Sequence, residues 1–156
     1  MKIRTDYVTN SSSSSFILGF TNEDNICDEL FSGFPEWAGS YFYKVCRDVQ
    51  SEKRLNKDDV IAKAREELRW NAEYYVKNEY MRKHKCSYLE AWDYLETDDG
   101  NSKVEAEIEQ YIKNIISDMN DKSVFVEVEY DDHCDGELEH EIMPQVKSTI
   151  VTFSHH

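Results

Sequence analysis

The sequence predicts an α+β domain, or a small α/β one, with a three-stranded sheet near residues 15–20, 124–131 and 149–154 covered by about five helices between residues 24 and 119. Three observations carry that prediction. Phe16-Ile17-Leu18-Gly19-Phe20 is apolar on both alternating faces, as an interior strand is. The middle of the chain has apolar residues at helical spacing, punctuated by capping residues. Beyond Asp121 the period falls from 3.6 to 2, the signature of strands.

Each element has a local reason. Thr21-Asn22-Glu23-Asp24 supplies caps ahead of Ile26, Leu30 and Phe31, predicting a short helix that ends near Gly33. Pro35 suits a first helical turn, and Trp37, Tyr41, Val45 and Val49 predict a second helix from about Glu36 to Gln50. Asn56 caps a long helix with Ile61, Ala64, Leu68, Ala72, Tyr75 and Tyr80 on one stripe, running to about Lys83. Ser87-Tyr88-Leu89-Glu90 is a capping box for a helix to about Glu96. Asp98-Asp99-Gly100-Asn101 reads as a turn, and Ser102-Lys103-Val104-Glu105 as a second capping box opening a helix through Met119.

Val124, Val126, Val128 and Tyr130 then alternate with Phe125, Glu127 and Glu129, predicting a strand near a sheet edge. Asp131 to Gly136 reads as a loop, Glu137 to Met143 as about two helical turns stopped by Pro144, and Thr149 to Phe153 as a last strand. The sixteen residues between Asp132 and Thr149 suffice for a parallel crossover and also suit an antiparallel return.

A chain of 156 residues fits one domain, 1–156, with residues 1–14 as a polar, serine-rich leader. Ten tyrosines, seven phenylalanines and three tryptophans argue for a folded core despite a mean hydropathy of −0.73. A net charge of −14 and no basic stripe argue against direct nucleic-acid binding. No apolar run approaches the ~20 residues that span a bilayer, so no membrane segment is expected. Cys27, Cys46, Cys86 and Cys134 form no C-x-x-C pair, and no signal segment follows Met1-Lys2-Ile3-Arg4. Reduced thiols and a cytoplasmic location are the expectation.

Tyr7-Val8-Thr9-Asn10, the five serines Ser11 to Ser15, and Phe16-Ile17 together resemble the amino-terminal motif (F/Y)VTNSSSSSFI of many small uncharacterised bacterial proteins. The resemblance covers about a dozen positions and implies no activity. A serine run could form a backbone nest for an anion, but this one precedes a strand and lacks the glycines and lysine of a phosphate loop. A strand starting at Ser15-Phe16 would place the run at its amino end, away from the carboxyl ends where parallel sheets bind ligands.

Imidazole, thiolate and carboxylate groups concentrate near the carboxyl terminus: His133, Cys134, His140, His155 and His156, with Asp131, Asp132, Asp135 and Glu141. These are donors for zinc or another divalent metal, although no spacing matches a known metal motif, and the terminal histidine pair equally fits a remnant of a purification tag. A Cys134 nucleophile activated by histidine is a further arrangement, opposed by the adjacent carboxylates. Convergence depends on strand direction. Parallel final strands bring His133-Cys134 and His155-His156 to one end of the sheet; antiparallel ones separate them.

Two functional classes follow. The first is an acidic protein-interaction or binding module recognising a basic protein partner, with Tyr74, Tyr75, Tyr80, Tyr88, Tyr94, Trp70 and Trp92 as interface candidates. The second is a metal- or small-ligand-binding protein, including a metal-dependent hydrolase, using the carboxyl-terminal cluster. Composition favours the first, because no complete catalytic arrangement can be assembled from the sequence.

Overall fold

The computed structural model describes residues 13–155, the side chain of His155 excepted. Tyr7 to Ser12 of the amino-terminal motif, residues 1–12 of the leader, and His156 lie outside the described residues. In chain order the elements are β1 (Ser13–Phe20), a 3-10 turn (Glu23–Asn25), α1 (Ile26–Ser32), a 3-10 segment (Glu36–Tyr41), α2 (Phe42–Ser51), β2 (Arg54–Leu55), α3 (Lys57–His84), α4 (Tyr88–Leu95) and α5 (Asp98–Met119). There follow β3 (Val124–Asp131), α6 (Asp132–Glu137), a π turn (Leu138–Ile142), a 3-10 turn (Met143–Gln145) and β4 (Thr149–His155). This is an α+β fold. None of its described helices is long and apolar enough to cross a membrane.

The sheet has four strands in the order β2-β3-β1-β4, every neighbouring pair antiparallel. The strand beyond the expected three is β2, a two-residue pairing of Arg54 with Val126 and Leu55 with Phe125, too short to show a period in sequence. Strand β1 is interior, as its two-faced apolar pattern predicts. Both flanking strands run against it. The last two strands are therefore parallel to each other but not adjacent, with β1 inserted between them.

That insertion corrects two expectations. The strand begins no later than Ser13, and Ser14 and Ser15 are only 3% and 5% exposed, so the serine run enters the interior instead of stopping at its border. Antiparallel flanks also bring the carboxyl ends of β3 and β4 to the amino end of β1, where Ser13 is paired with both Asp131 and His155. The serines thus lie at the end of the sheet where the histidines and carboxylates emerge, not away from it.

The chain divides into two compact units, Met1–Val60 with Asp118–His156, and Ile61–Ser117. In the sheet unit, Phe16, Leu18 and Phe20 share a face with Val126, Val128 and Tyr130, and pack with Leu30, Val45 and Val49 of α1 and α2. Leu138, Ile142, Met143 and Val146 of the β3–β4 crossover complete that core. Ile17 and Phe125, on the other face of the sheet, are also fully buried. A disulfide joins Cys27 of α1 to Cys46 of α2, replacing the expected reduced thiols at those positions; Cys86 and Cys134 are free. Closing a loop of this size stabilises by about 3 kcal/mol in the chain-entropy account.

In the helical unit, Ala64, Leu68, Ala72 and Val76 of α3 are buried at every fourth position, as are Val104, Ile108 and Ile112 of α5. Ion pairs of Arg65 with Glu109 and Arg69 with Glu105 fix an antiparallel register between the two helices. The Ser87 capping box forms as predicted, with Glu90 N 3.2 Å from Ser87 Oγ. The Ser102 box does not. Thr97 Oγ1 accepts from Gly100 N at 3.1 Å, so α5 begins at Asp98 and the expected turn is its first turn. Gly100 is required there, because a Cβ would stand 2.1 Å from the carbonyl oxygen of Tyr94.

A part-buried polar contact ties α2 to the sheet. Tyr130 donates its hydroxyl to Asp48 Oδ2 at 2.9 Å. Burial, and then the Asp48 hydrogen bond, push this phenol far above its ordinary value of 10.0. A folded-state pKa above the unfolded one gives stability that is complete below the unfolded value and is lost as pH rises beyond it. Urea unfolding should therefore show stability falling above about pH 10, with a shallower fall in Tyr130→Phe. Equal slopes for the two proteins would remove Tyr130 as the cause.

Candidate metal centre

The β3–β4 crossover builds the site from a few local rules. As β3 ends, the Asp131 side chain accepts from Cys134 N at 2.9 Å and caps α6, so Asp132 takes the first helical position. Asp135 departs from helical geometry (φ −134°, ψ 38°), and the chain continues as a π turn over Leu138–Ile142. Such wide turns are often found where side chains must be re-aimed. Leu138 and Ile142 anchor the turn in the core. The intervening Glu139 is thereby carried inward, and His140 beside it faces outward.

Glu139 is 2% exposed. One of its carboxylate oxygens, Oε1, accepts from Ser14 Oγ at 2.9 Å; Ser14 in turn lies 3.5 Å from Ser154 Oγ, its cross-strand partner on β4. The other oxygen, Oε2, is buried without a hydrogen bond and is 3.4 Å from His140 Nε2. That same nitrogen contacts Asp132 Oδ1. Donor atoms of Asp132, Glu139 and His140 all lie within 4.8 Å of one another. Two donors each about 2.1 Å from a common ion are separated by at most about 4.2 Å, so only small side-chain shifts are needed to share one.

Electrostatics at the site favour a cation. The hydrogen bond to Asp132 raises His140 above the ordinary imidazole value; partial desolvation opposes this, and the charges of Glu139, Asp132 and Glu141 add to it. A proton held between carboxylates in this way is what a divalent ion displaces. Hydrogen bonding of Glu139 Oε1 to Ser14 orients the carboxylate, the role that outer groups play around metal ligands.

Of the residues singled out in the sequence, the fold brings His140 and Asp132 together. His133 and Cys134 are exposed on α6 and are not members of this group. His155 closes β4, with its side chain outside the description, and His156 lies beyond the described residues. Glu139 and Ser14 were missed. The available signal for Glu139 was its place between Leu138 and Ile142, a carboxylate inside an apolar anchor; Ser14 had none, since its partner is 125 residues away.

Compared with protein-family models, with curated proteins and with solved structures, the chain gives no match, so what it does rests on this geometry.

Proposed function

We propose that this is a divalent-cation-binding protein whose centre is Asp132, Glu139 and His140. The observation that carries the reading is the buried Glu139 Oε2, which has no hydrogen-bond donor and is directed at an imidazole nitrogen. Burying a carboxylate is costly, and with Oε2 left without a hydrogen bond Glu139 is only partly compensated by Ser14 and His140; a metal ion would supply what is missing. Two carboxylates and one imidazole suit zinc, manganese or iron(II) better than a thiolate-selective metal. Three protein donors leave positions for water, as catalytic centres do, and metal-assisted hydrolysis is the reaction class such a centre would carry.

Full-length protein made without a histidine tag should bind one equivalent of zinc, manganese or iron(II) per chain by elemental analysis and calorimetry. Glu139→Gln should weaken binding at least 100-fold while leaving the metal-free protein equally or more stable, because it removes a buried charge. His133→Ala and Cys134→Ser should bind as the unaltered protein does. Metal-free protein at saturating metal, or binding lost equally in His133→Ala, would sink the reading. Ser14→Ala should weaken metal affinity about 10-fold, the usual scale for an orienting group; undiminished affinity would remove Ser14 from the site.

A second reading, a module for a basic protein partner, is supported by the helical unit, where Trp70 and Leu89 are 64% and 73% exposed and Tyr74 and Tyr88 are half exposed. Trp70 stacks on Tyr74 at 5.3 Å, giving a flat aromatic surface in a chain of net charge −14. A Lys/Arg-rich peptide with one leucine anchor should quench tryptophan fluorescence in a salt-sensitive manner, and Trp70→Ala should abolish that component. Salt-independent or Trp70-independent quenching would count against it.

A further inference from the structure

The helical unit contains a cleft of about 320 Å³ whose walls come from all three of its helices. Its lining includes Tyr75, Tyr80, Lys83 and His84 of α3, Tyr94 of α4 and Lys103 of α5. Small-molecule sites have this form, a concave and largely apolar wall with a few converging polar groups, and ~300 Å³ is the lower end of their size range. A single ring system fits that volume better than a larger ligand.

The walls are aromatic and continuous. Tyr80 and Tyr94 stack with centroids 3.9 Å apart and an interplanar angle of 11°, and His84 extends the surface with its ring 4.3 Å from Tyr80. Tyr80 is thus covered on both faces, and a planar ligand ring would meet this stack at the ring edges and at the outer face of Tyr94, where edge-to-face and offset contacts add to the area it buries.

Polar groups around the cleft are unequally committed. Both carboxylate oxygens of Glu79 are held by Arg82. Glu107 lies beside the Tyr111 hydroxyl, whose ionisation is opposed first by burial and then by the Glu107 charge. Asp99 accepts from the Tyr94 hydroxyl and lies 3.8 Å from the Lys103 ammonium. Lys83, by contrast, is exposed and makes no ion pair among the described residues. The cation that remains available to a ligand is therefore Lys83, with Lys103 close by over the Tyr94 ring at 5.7 Å. Glu79, Glu107 and Asp99 set a limit in the other direction. Their charges oppose a dianion, so the ligand that fits carries one negative charge.

We infer that this cleft binds a small planar aromatic monocarboxylate, its ring against Tyr80 and Tyr94 and its carboxylate at Lys83 and Lys103. The site is independent of the Asp132–Glu139–His140 centre, and none of its residues takes part in that centre.

The test uses the full chain in the presence of a chelator, titrated with 2-naphthoate and with 2-naphthylmethylammonium, which share a ring system and differ in charge. Amide and methyl NMR shifts should move saturably with naphthoate at Val76, Tyr80, Tyr94 and Ala106, and at least 10-fold more weakly with the ammonium compound. Lys83→Glu and Lys103→Glu, both at exposed positions, should each weaken naphthoate binding about 10-fold while leaving the circular-dichroism spectrum unchanged. Equal affinity for the two compounds, shifts elsewhere on the protein, or naphthoate affinity unaffected by both substitutions would overturn the inference.

Discussion

Everything in the sheet unit depends on β1 lying between two strands that both run against it. A strand in that position has its backbone groups paired on both edges, and its side chains Phe16, Ile17, Leu18 and Phe20 are all fully buried. The same arrangement fixes polarity. The amino end of β1 must coincide with the carboxyl ends of β3 and β4, so Ser13 to Ser15 stand beside Glu129 to Asp131 and Phe153 to His155. The β3–β4 crossover must also pass over one face of β1, and its apolar residues Leu138, Ile142 and Met143 select the face that carries Ser14, Phe16 and Leu18.

Seen this way, the serines next to the core have a physical role. Ser14 stands in line with Phe16, opposite Tyr130 on one side and Ser154 on the other. A larger apolar side chain there would continue the core and leave Glu139 with no donor. A hydroxyl ends the apolar face with a group small enough to be buried and able to donate to a carboxylate. Hydrogen bonds to charged groups contribute about 1.5–3 kcal/mol, and that falls short of the several kcal/mol needed to bury a carboxylate. The imbalance is why the metal-binding reading rests on Glu139 and not on the more conspicuous histidines.

How legible this was from sequence varies with the range of each interaction. Helix α4 was readable because its Ser87–Glu90 box is completed within four residues. The interior position of β1 was readable because burial on both faces leaves its mark on the strand's own residues. The start of α5 was misplaced because Ser102-Lys103-Val104-Glu105 has the pattern of a capping box without forming one: Thr97 caps first, and the helix already begun passes through Ser102. Pairing of Cys27 with Cys46, the two-residue β2, and Ser14 with Glu139 are set by approaches between distant segments, about which local pattern says nothing. The carboxyl-terminal cluster was legible as chemistry and not as geometry. The members that meet, Asp132 and His140 with Glu139, all lie within the connection between the last two strands, where the turn from α6 into the π turn and not strand direction brings them together.

The two units place opposite demands on an acidic chain. In the sheet unit a dense group of carboxylates runs from the end of β3, where Asp131, Asp132, Asp135, Glu137, Glu139 and Glu141 fall within eleven residues of one another. Two of them act locally: Asp131 caps α6, and Glu137 accepts from the Tyr41 hydroxyl. Only where the π turn redirects the chain does a carboxylate enter the core, and there it meets an imidazole and a second carboxylate from the preceding turn. In the helical unit the acids around the cleft instead have local partners, Glu79 in Arg82 and Asp99 in Lys103 and the Tyr94 hydroxyl, while Lys83 makes no ion pair among the described residues. Net charge sets the long-range potential that any ligand meets first. What each site can hold is decided within a few ångströms, by which charged groups already have partners.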